Sequence, residues 1–252
     1  MFFFSSRKVQ KTRRRLVVFT GAGMSAESGI STFRGNGGLW ENHDLREVAS
    51  HEGWVMDPHL VLRFYNERRK QMRRCQPNAG HLALARLEEQ FDVQIITQNV
   101  DDLHERAGST RVLHLHGELT KVRSCKNPDY VRVLQGDEIH VGDLCPEGGQ
   151  LRPHIVWFGE EVPLFDTAVA SAETADIFVV IGTSMAVYPA ASLVNYVPAS
   201  APIYLIDPEP TLQREGITVL RRGASEGVAE LERLIASRDA REGRPVGVLT
   251  SR

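Results

Sequence analysis

Residues 16–26 read Leu16-Val17-Val18-Phe19-Thr20-Gly21-Ala22-Gly23-Met24-Ser25-Ala26. An unbroken apolar run of this kind suits a strand buried on both faces, and here it opens into a glycine-rich turn leading towards a helix. Similar short runs recur at Val93-Gln94-Ile95-Ile96, Ile155-Val156-Trp157, Ile177-Phe178-Val179-Val180-Ile181 and Ile203-Tyr204-Leu205-Ile206. Between them fall helical patterns, one from Asn78 as cap through Leu82, Ala85 and Leu87, another from Ser225 through Val228, Leu231 and Leu234. Strands alternating with helices predict an α/β fold with a parallel, doubly wound sheet.

Ligands in such sheets bind beyond the carboxyl ends of the strands, so the residues that follow each strand decide the chemistry. They are polar: Thr20-Gly21-Ala22-Gly23, Thr97-Gln98-Asn99-Val100-Asp101, Gly182-Thr183-Ser184 and Asp207. Four candidate site loops are therefore expected along one edge. Backbone amides of Gly21–Ala26 could cradle a pyrophosphate, although the same residues also suit a plain strand-to-helix turn. Hydride-transfer enzymes place an acid about twenty residues on, after a second strand. Here Gly37-Gly38-Leu39-Trp40-Glu41-Asn42-His43 has no strand pattern before Glu41, which disfavours an ordinary dehydrogenase.

Two stretches break the alternation: a largely helical one over about 36–75 and a Gly/Asp-rich one over about 118–153. They are expected to form a smaller inserted module, leaving about 16–35, 76–117 and 154–236 as the nucleotide-binding core. Residues 1–15 carry Arg7, Lys8, Lys11, Arg13, Arg14 and Arg15 without an acid and read as a solvated basic arm; 237–252 reads as a mobile tail. The chain has 252 residues, 42% hydrophobic and 25% charged, with net charge −2, so nothing asks for nucleic acid or an anionic membrane. No run approaches the ~18 apolar residues of a membrane span. Three cysteines, Cys75, Cys125 and Cys145, are too few for a disulfide framework and point to the cytoplasm.

Gly21-Ala22-Gly23-Met24-Ser25-Ala26-Glu27-Ser28-Gly29-Ile30-Ser31-Thr32-Phe33-Arg34-Gly35 closely resembles the nucleotide loop of the sirtuins. Thr97–Asp101, His116-Gly117, Trp157-Phe158-Gly159-Glu160, Gly182-Thr183-Ser184 and Tyr188-Pro189-Ala190 resemble the same family in its order. The resemblance spans roughly residues 16 to 235. It implies a Rossmann-like fold and an NAD-dependent protein-lysine deacylase that consumes NAD as co-substrate, acts on acyl-lysine proteins or peptides, and works as a monomer. By resemblance, the acyl oxygen attacks the nicotinamide ribose, nicotinamide leaves, and His116 activates the ribose hydroxyl that attacks next. Free lysine and O-acyl-ADP-ribose result. An imidazole titrating near neutrality suits that proton transfer.

The resemblance further implies that Asn99 serves the ribose and a bound water, while Asp101 meets the nicotinamide carboxamide. Both residues are also ordinary turn formers. Phe33 is expected to shield the reactive ribose carbon and Arg34 to donate to the cofactor. Gly21, Ala22, Gly23, Ser25, Ala26, Trp40, Gln98, Val100, Thr183 and Ser184 are placed around it, with Gly182 in the turn. Asp207, Pro208, Glu209 and Ala224 are placed at the adenosine end. Peptide is expected to pair with the main chain over Val156, Phe158, Gly159 and Glu160. The competing readings are a dehydrogenase and a non-catalytic NAD-binding or ADP-ribosylating protein; His116 argues against the last.

Asp57-Pro58 is a cap followed by a first-turn proline. From there Leu60, Val61, Phe64, Tyr65, Arg68 and Met72 share one helix face, and Arg68 interrupts its apolar stripe. Either Arg68 snorkels to water, or Tyr65 and Arg68 line a pocket for a negatively charged group. Tyr65-Asn66-Glu67-Arg68 matches the Tyr-x-x-Arg pair of desuccinylase and demalonylase sirtuins of the bacterial type, and Ala49 falls where that class keeps a small residue. Succinyl- and malonyl-lysine are thus implied beside acetyl-lysine. Most sirtuins carry two Cys-x-x-Cys pairs around a structural zinc. Ser124-Cys125-Lys126-Asn127 and Leu144-Cys145-Pro146-Glu147 supply one thiol each, so no metal site is expected and packing should hold the module.

Overall fold

The computed structural model describes residues 13–31, 39–40, 43–211 and 215–243. Phe33, Arg34, the side chain of Trp40, and most of the basic arm lie outside the described residues. The core strands are β1 (Arg15–Thr20), β4 (Asp92–Thr97), β5 (Val112–His114), β9 (Ile177–Ile181), β10 (Ile203–Ile206) and β11 (Ile217–Leu220). They form one parallel sheet in the order β11-β10-β9-β1-β4-β5. In register, Thr20 lies beside Thr97 and Ile181, and Ile206 beside Ile181. The four expected site loops therefore leave neighbouring strands at one level.

Strand alternation divides the core between the two faces. Leu16 and Val18 of β1 face α5 (Ala79–Leu87) and α8 (Ala224–Arg241), packing with Leu84, Leu87, Val228 and Leu231. Val17 and Phe19 face α7 (Phe165–Ala172) and the 3₁₀ segment Ala190–Tyr196, where Ala168, Ala172 and Ala190 let the backbone come close. All four β1 residues are fully buried, each contributing about 2 kcal/mol of apolar burial. The remaining core helices are short: α1 (Gly23–Ala26) follows β1 and α6 (Leu103–Arg106) follows the β4 loop.

The inserted module comprises β2 (Leu39–Trp40), β3 (His43–Asp44), α2 (Leu45–Val48), α3 (His51–Met56) and α4 (Pro58–Arg74), with β6 (Gly117–Ser124), β7 (Val131–Val133) and β8 (Leu151–Ile155) as an antiparallel sheet ordered β7-β6-β8. Asp57 caps α4 through the Leu60 amide at 2.9 Å, with Pro58 in the first turn. Arg69, fully buried, donates to the carbonyls of Leu119 (2.7 Å) and Asp137 (2.9 Å) and to Asn66 Oδ1 (3.0 Å), fastening α4 to β6 and to the loop beyond β7.

Two expectations are corrected and two strands are added. Ile155-Val156-Trp157 is not a core strand: Ile155 ends β8 in the module sheet, and its apolar character serves the cluster of Val48, Tyr65 and Trp157 between module and core. The edge strands β5 and β11 went unforeseen, being three and four residues long. The chain past residue 237 is not a tail until α8 ends at Arg241, because Asp239 is buried and paired with Arg14 beside β1.

Asn78 accepts from the amides of Gly80 (2.9 Å) and His81 (3.2 Å) and donates to the Met24 carbonyl (2.8 Å) and Ser28 Oγ (3.1 Å). It thus caps α5 and anchors the chain that follows β1. Asn78→Ala is expected to cost about 2 kcal/mol, more than an ordinary cap because two further bonds are lost. A urea midpoint unchanged from wild type would refute this.

Candidate active site

The turn after β1 meets the turn after β9 backbone to backbone. Gly21 N donates to the Ile181 carbonyl at 3.0 Å and Gly23 N to the Gly182 carbonyl at 2.8 Å. A Cβ on Gly23 would lie 2.6 Å from Gly182 Cα, and Gly182, at φ +60°, would drive one to within 2.4 Å of Gly23. These glycines are needed for loop contact. The amides of Gly21, Gly23, Met24 and Ser25 are consumed within the protein, which trims the pyrophosphate cradle expected from this loop.

Against that junction sits a buried polar cluster. Asn99 Nδ2 donates to the Gly21 carbonyl (3.0 Å) and to Ser25 Oγ (3.1 Å), while Ser25 Oγ donates to Asp101 Oδ2 at 3.0 Å. The Leu103 amide holds the other Asp101 oxygen at 3.1 Å. Burial pushes the Asp101 carboxyl up from its ordinary value, opposed by the Leu103 and Ser25 hydrogen bonds. Thr183 Oγ1 donates to Gln98 Oε1 at 2.9 Å, joining the β9 loop to the β4 loop.

His116 follows β5, and its Nδ1–H donates to the Gln98 carbonyl at 3.2 Å. Since a carbonyl only accepts, Nδ1 carries the proton and the Nε2 lone pair is left for chemistry. Burial lowers its pKa below the usual histidine value, with the Gln98 carbonyl pulling the other way. Gly117 has φ +82°, and a Cβ there would lie 2.0 Å from the His154 carbonyl. The turn that presents His116 consequently requires glycine.

Arg68, 6% exposed, does not snorkel. It lines a cavity with Ile30, Gln71, Met72, Val100, Asp101 and Leu119, and its Nη1 donates to Gln71 Oε1 at 3.0 Å. Module arginine and core aspartate thus share one chamber. Tyr65 differs from expectation: it is buried beside the chamber, and its hydroxyl accepts from Trp157 Nε1 at 3.1 Å. Burial pushes its phenol pKa far up, so it remains protonated. Ala49 is buried in the same cluster and its carbonyl accepts from the Phe158 amide at 2.9 Å. Gln71, one turn beyond Arg68, was a residue that helical spacing could have signalled; Leu119 and Met72 read only as core.

The 156–160 segment is anchored more than expected. Val156 N donates to the His116 carbonyl (2.9 Å), Trp157 N to Glu160 Oε2 (2.9 Å) and Glu160 N to the Trp157 carbonyl (3.0 Å). With Phe158 N on Ala49, Gly159 is the amide of the segment outside these bonds, so pairing with an incoming strand is narrower than a full ladder. Glu160 accepts from Arg152 at 2.7 and 2.9 Å and from Arg123 at 2.9 Å, and the Arg152 guanidinium lies 3.4 Å over the Trp157 ring. Glu160 is thus a brace for the loop. At the other end of the edge, Asp207 is buried after β10, its Oδ1 accepting from Glu209 N at 2.8 Å, and Ala224 opens α8 above Ile206.

Among the described residues no group of three or more His, Cys, Asp or Glu side chains is disposed to hold a metal ion. Cys145 is buried, donating to Ser124 Oγ at 3.2 Å, and Cys125 is exposed. Among the described residues no helix is long and apolar enough to cross a membrane.

Sheet order, the strand-end loops and the inserted module define a Rossmann-like α/β protein with its candidate site at the sheet's carboxyl edge. Residues 21–189 match the model of the Sir2 family, and the chain belongs to that family. It is 58% identical over 229 residues to an NAD-dependent protein deacylase of Bacteroides thetaiotaomicron, covering 88% of this chain and 98% of that one. A Helicobacter pylori protein of the same name is 57% identical over 196 residues, covering 78% of this chain and 83% of that one. Among solved structures, a Sir2 homologue–ADP ribose complex superposes with TM-score 0.82 at 40% identity, covering 92% and 95% of the two chains. A Sir2 homologue–NAD complex gives 0.79 at 40% identity, covering 90% and 91%.

The Glu160 brace predicts that Glu160→Gln destabilises the protein by on the order of 2 kcal/mol, since two arginines lose their charged partner. It should raise the KM for acyl-peptide more than that for nucleotide. Equal effects on both would show that Glu160 does not brace the 156–160 segment.

Proposed function

We propose that the protein is an NAD-dependent protein-lysine deacylase whose acyl chamber takes acidic acyl groups as well as acetyl. The observation that carries this reading is the chamber shared by Asp101 and Arg68, one fixed by the nucleotide loop and the other by the module helix. Family membership and relatives named NAD-dependent protein deacylases support it. The residues present suit NAD: Gln98 Nε2 is buried with no partner among the described residues, and Ser25, Asn99, Thr183 and Asp101 gather hydroxyl, amide and carboxylate groups around it. When bound, NAD supplies the ribose that accepts the acyl group and releases nicotinamide.

The chain's own contributions follow from the geometry. His116 accepts a proton at Nε2 while the Gln98 carbonyl holds its other nitrogen. Asn99, with its amide nitrogen committed to Gly21 and Ser25, keeps its oxygen as an acceptor in a fixed place. Asp101 offers a carboxylate to an amide donor. Arg68 presents a guanidinium to a carboxylate at the end of a short acyl chain, with Gln71 steadying it. Three free thiols, Cys75, Cys125 and Cys145, accord with action on proteins in a reducing cytoplasm.

Incubation with NAD and acetyl-, malonyl- and succinyl-lysine peptides should yield nicotinamide and O-acyl-ADP-ribose by mass spectrometry; reduced-cofactor absorbance instead would overturn the assignment. Arg68→Met should depress desuccinylation roughly 10- to 100-fold more than deacetylation. Comparable losses on both peptides would remove Arg68 from acyl selection.

Because His116 works as a base, kcat/KM should rise with pH through its pKa, which burial lowers from the ordinary histidine value. The acid limb should therefore fall on the acid side of that of an ordinary histidine. His116→Ala should abolish that limb together with at least ~100-fold of the rate.

A further inference from the structure

His114 ends β5, two residues before His116, and its side chain is nearly buried. Its Nδ1 lies 3.1 Å from the Asn99 carbonyl oxygen and its Nε2 2.7 Å from Glu105 Oε1 on α6. A carbonyl and a carboxylate only accept. A neutral imidazole has one N–H and can satisfy one of them; satisfying both takes an imidazolium. We infer that His114, held as an imidazolium by Glu105, is a positioning residue for the reaction, clamping the Asn99 carbonyl so that the Gln98–Asp101 loop stays set against His116. This inference rests on the deacylase reading above.

The clamp reaches three residues of the site. The Asn99 carbonyl belongs to the residue whose side chain holds Gly21 and Ser25. Gln98, one position earlier, supplies the carbonyl that fixes His116. The His114 charge also favours the ionised form of Asp101, working against its burial.

The charged groups around His114 agree with this role. Glu105 faces it from α6, and Glu118 from β6, itself paired with Lys121. Asp101 stands on the intervening loop, and His104 of α6 is kept neutral by burial and by its neighbours His81 and His114. Burial opposes the charge on His114, but Glu105 outweighs it and the pKa rises above the ordinary value. A group with a raised pKa keeps its proton below that value and loses it as pH climbs through it. Two histidines of one short segment therefore titrate on opposite sides of the ordinary value: His116 sets an acid limb, and loss of the His114 proton sets an alkaline one.

The test is made on the full-length protein. Imidazole ¹⁵N NMR should show both His114 ring nitrogens protonated at neutral pH; a neutral ring would overturn the inference. In Glu105→Gln the alkaline limb of kcat/KM should move down by about one pH unit or more while the acid limb stays, since an opposite charge at contact distance shifts a pKa by roughly that amount. An unmoved alkaline limb would equally overturn it, because a merely structural contact shifts no limb. Should the variant fail to fold, the wild-type NMR reading still decides. If the wild-type protein released no nicotinamide, the function proposed above would fall, whereas the ring nitrogens would separately uphold or overturn the clamp.

Discussion

The contact between the turns after β1 and β9 is the constraint on which the remaining site depends. Gly23 and Gly182 approach so closely that neither tolerates a Cβ, and the bond from the Gly23 amide to the Gly182 carbonyl closes the gap. The Gly21 carbonyl is thereby fixed as the acceptor for Asn99, and Ser25 as the link between Asn99 and Asp101. A buried carboxylate without such partners would be costly. Backbone contact at the sheet edge thus precedes the polar cluster, and the cluster precedes the placement of His116.

The module is secured by different means. Arg69 is buried and, among the described residues, pairs with no carboxylate; carbonyls of Leu119 and Asp137 and the amide oxygen of Asn66 receive its Nε and Nη1 donors. A guanidinium tolerates this better than an ammonium, because its planar fork matches several acceptors at once. Burial lowers its pKa to about 10, which leaves it charged at neutrality. Leu119 N in turn donates to the Val100 carbonyl at 2.8 Å. An unbroken line of bonds thus runs from α4 through β6 to the loop that carries Asn99 and Asp101.

Much of this was legible in the chain. Unbroken apolar runs located β1, β9 and β10, and the residues after them marked the site edge, because burial on both faces and exposure of the strand ends are local properties. Asn78 and Asp57 announced their helices through capping chemistry. Ile155-Val156-Trp157 misled for a physical reason: burial between a helix and a small antiparallel sheet yields the same apolar signature as burial inside a parallel one. Tyr65 was placed on the right helix face, but its hydroxyl turned to Trp157, a partner 92 residues away that helical periodicity does not encode. The partnership of His114 was equally hidden. Its charge depends on Glu105 from a helix nine residues earlier and on a carbonyl, which has no sequence identity at all.

Arg68 and Arg69 are chemical twins on adjacent positions of α4, separated by about 100° of helical rotation. One faces the chamber and the other fastens the helix to the module. Their substitution should therefore have different consequences. Arg68 donates to Gln71 on its own helix and lines the chamber, so its exchange acts first on the chamber wall. Arg69 cannot be exchanged without releasing Leu119, a wall of that same chamber. On the reading proposed above, a change of acyl preference would act at Arg68, while Arg69 keeps the frame around it.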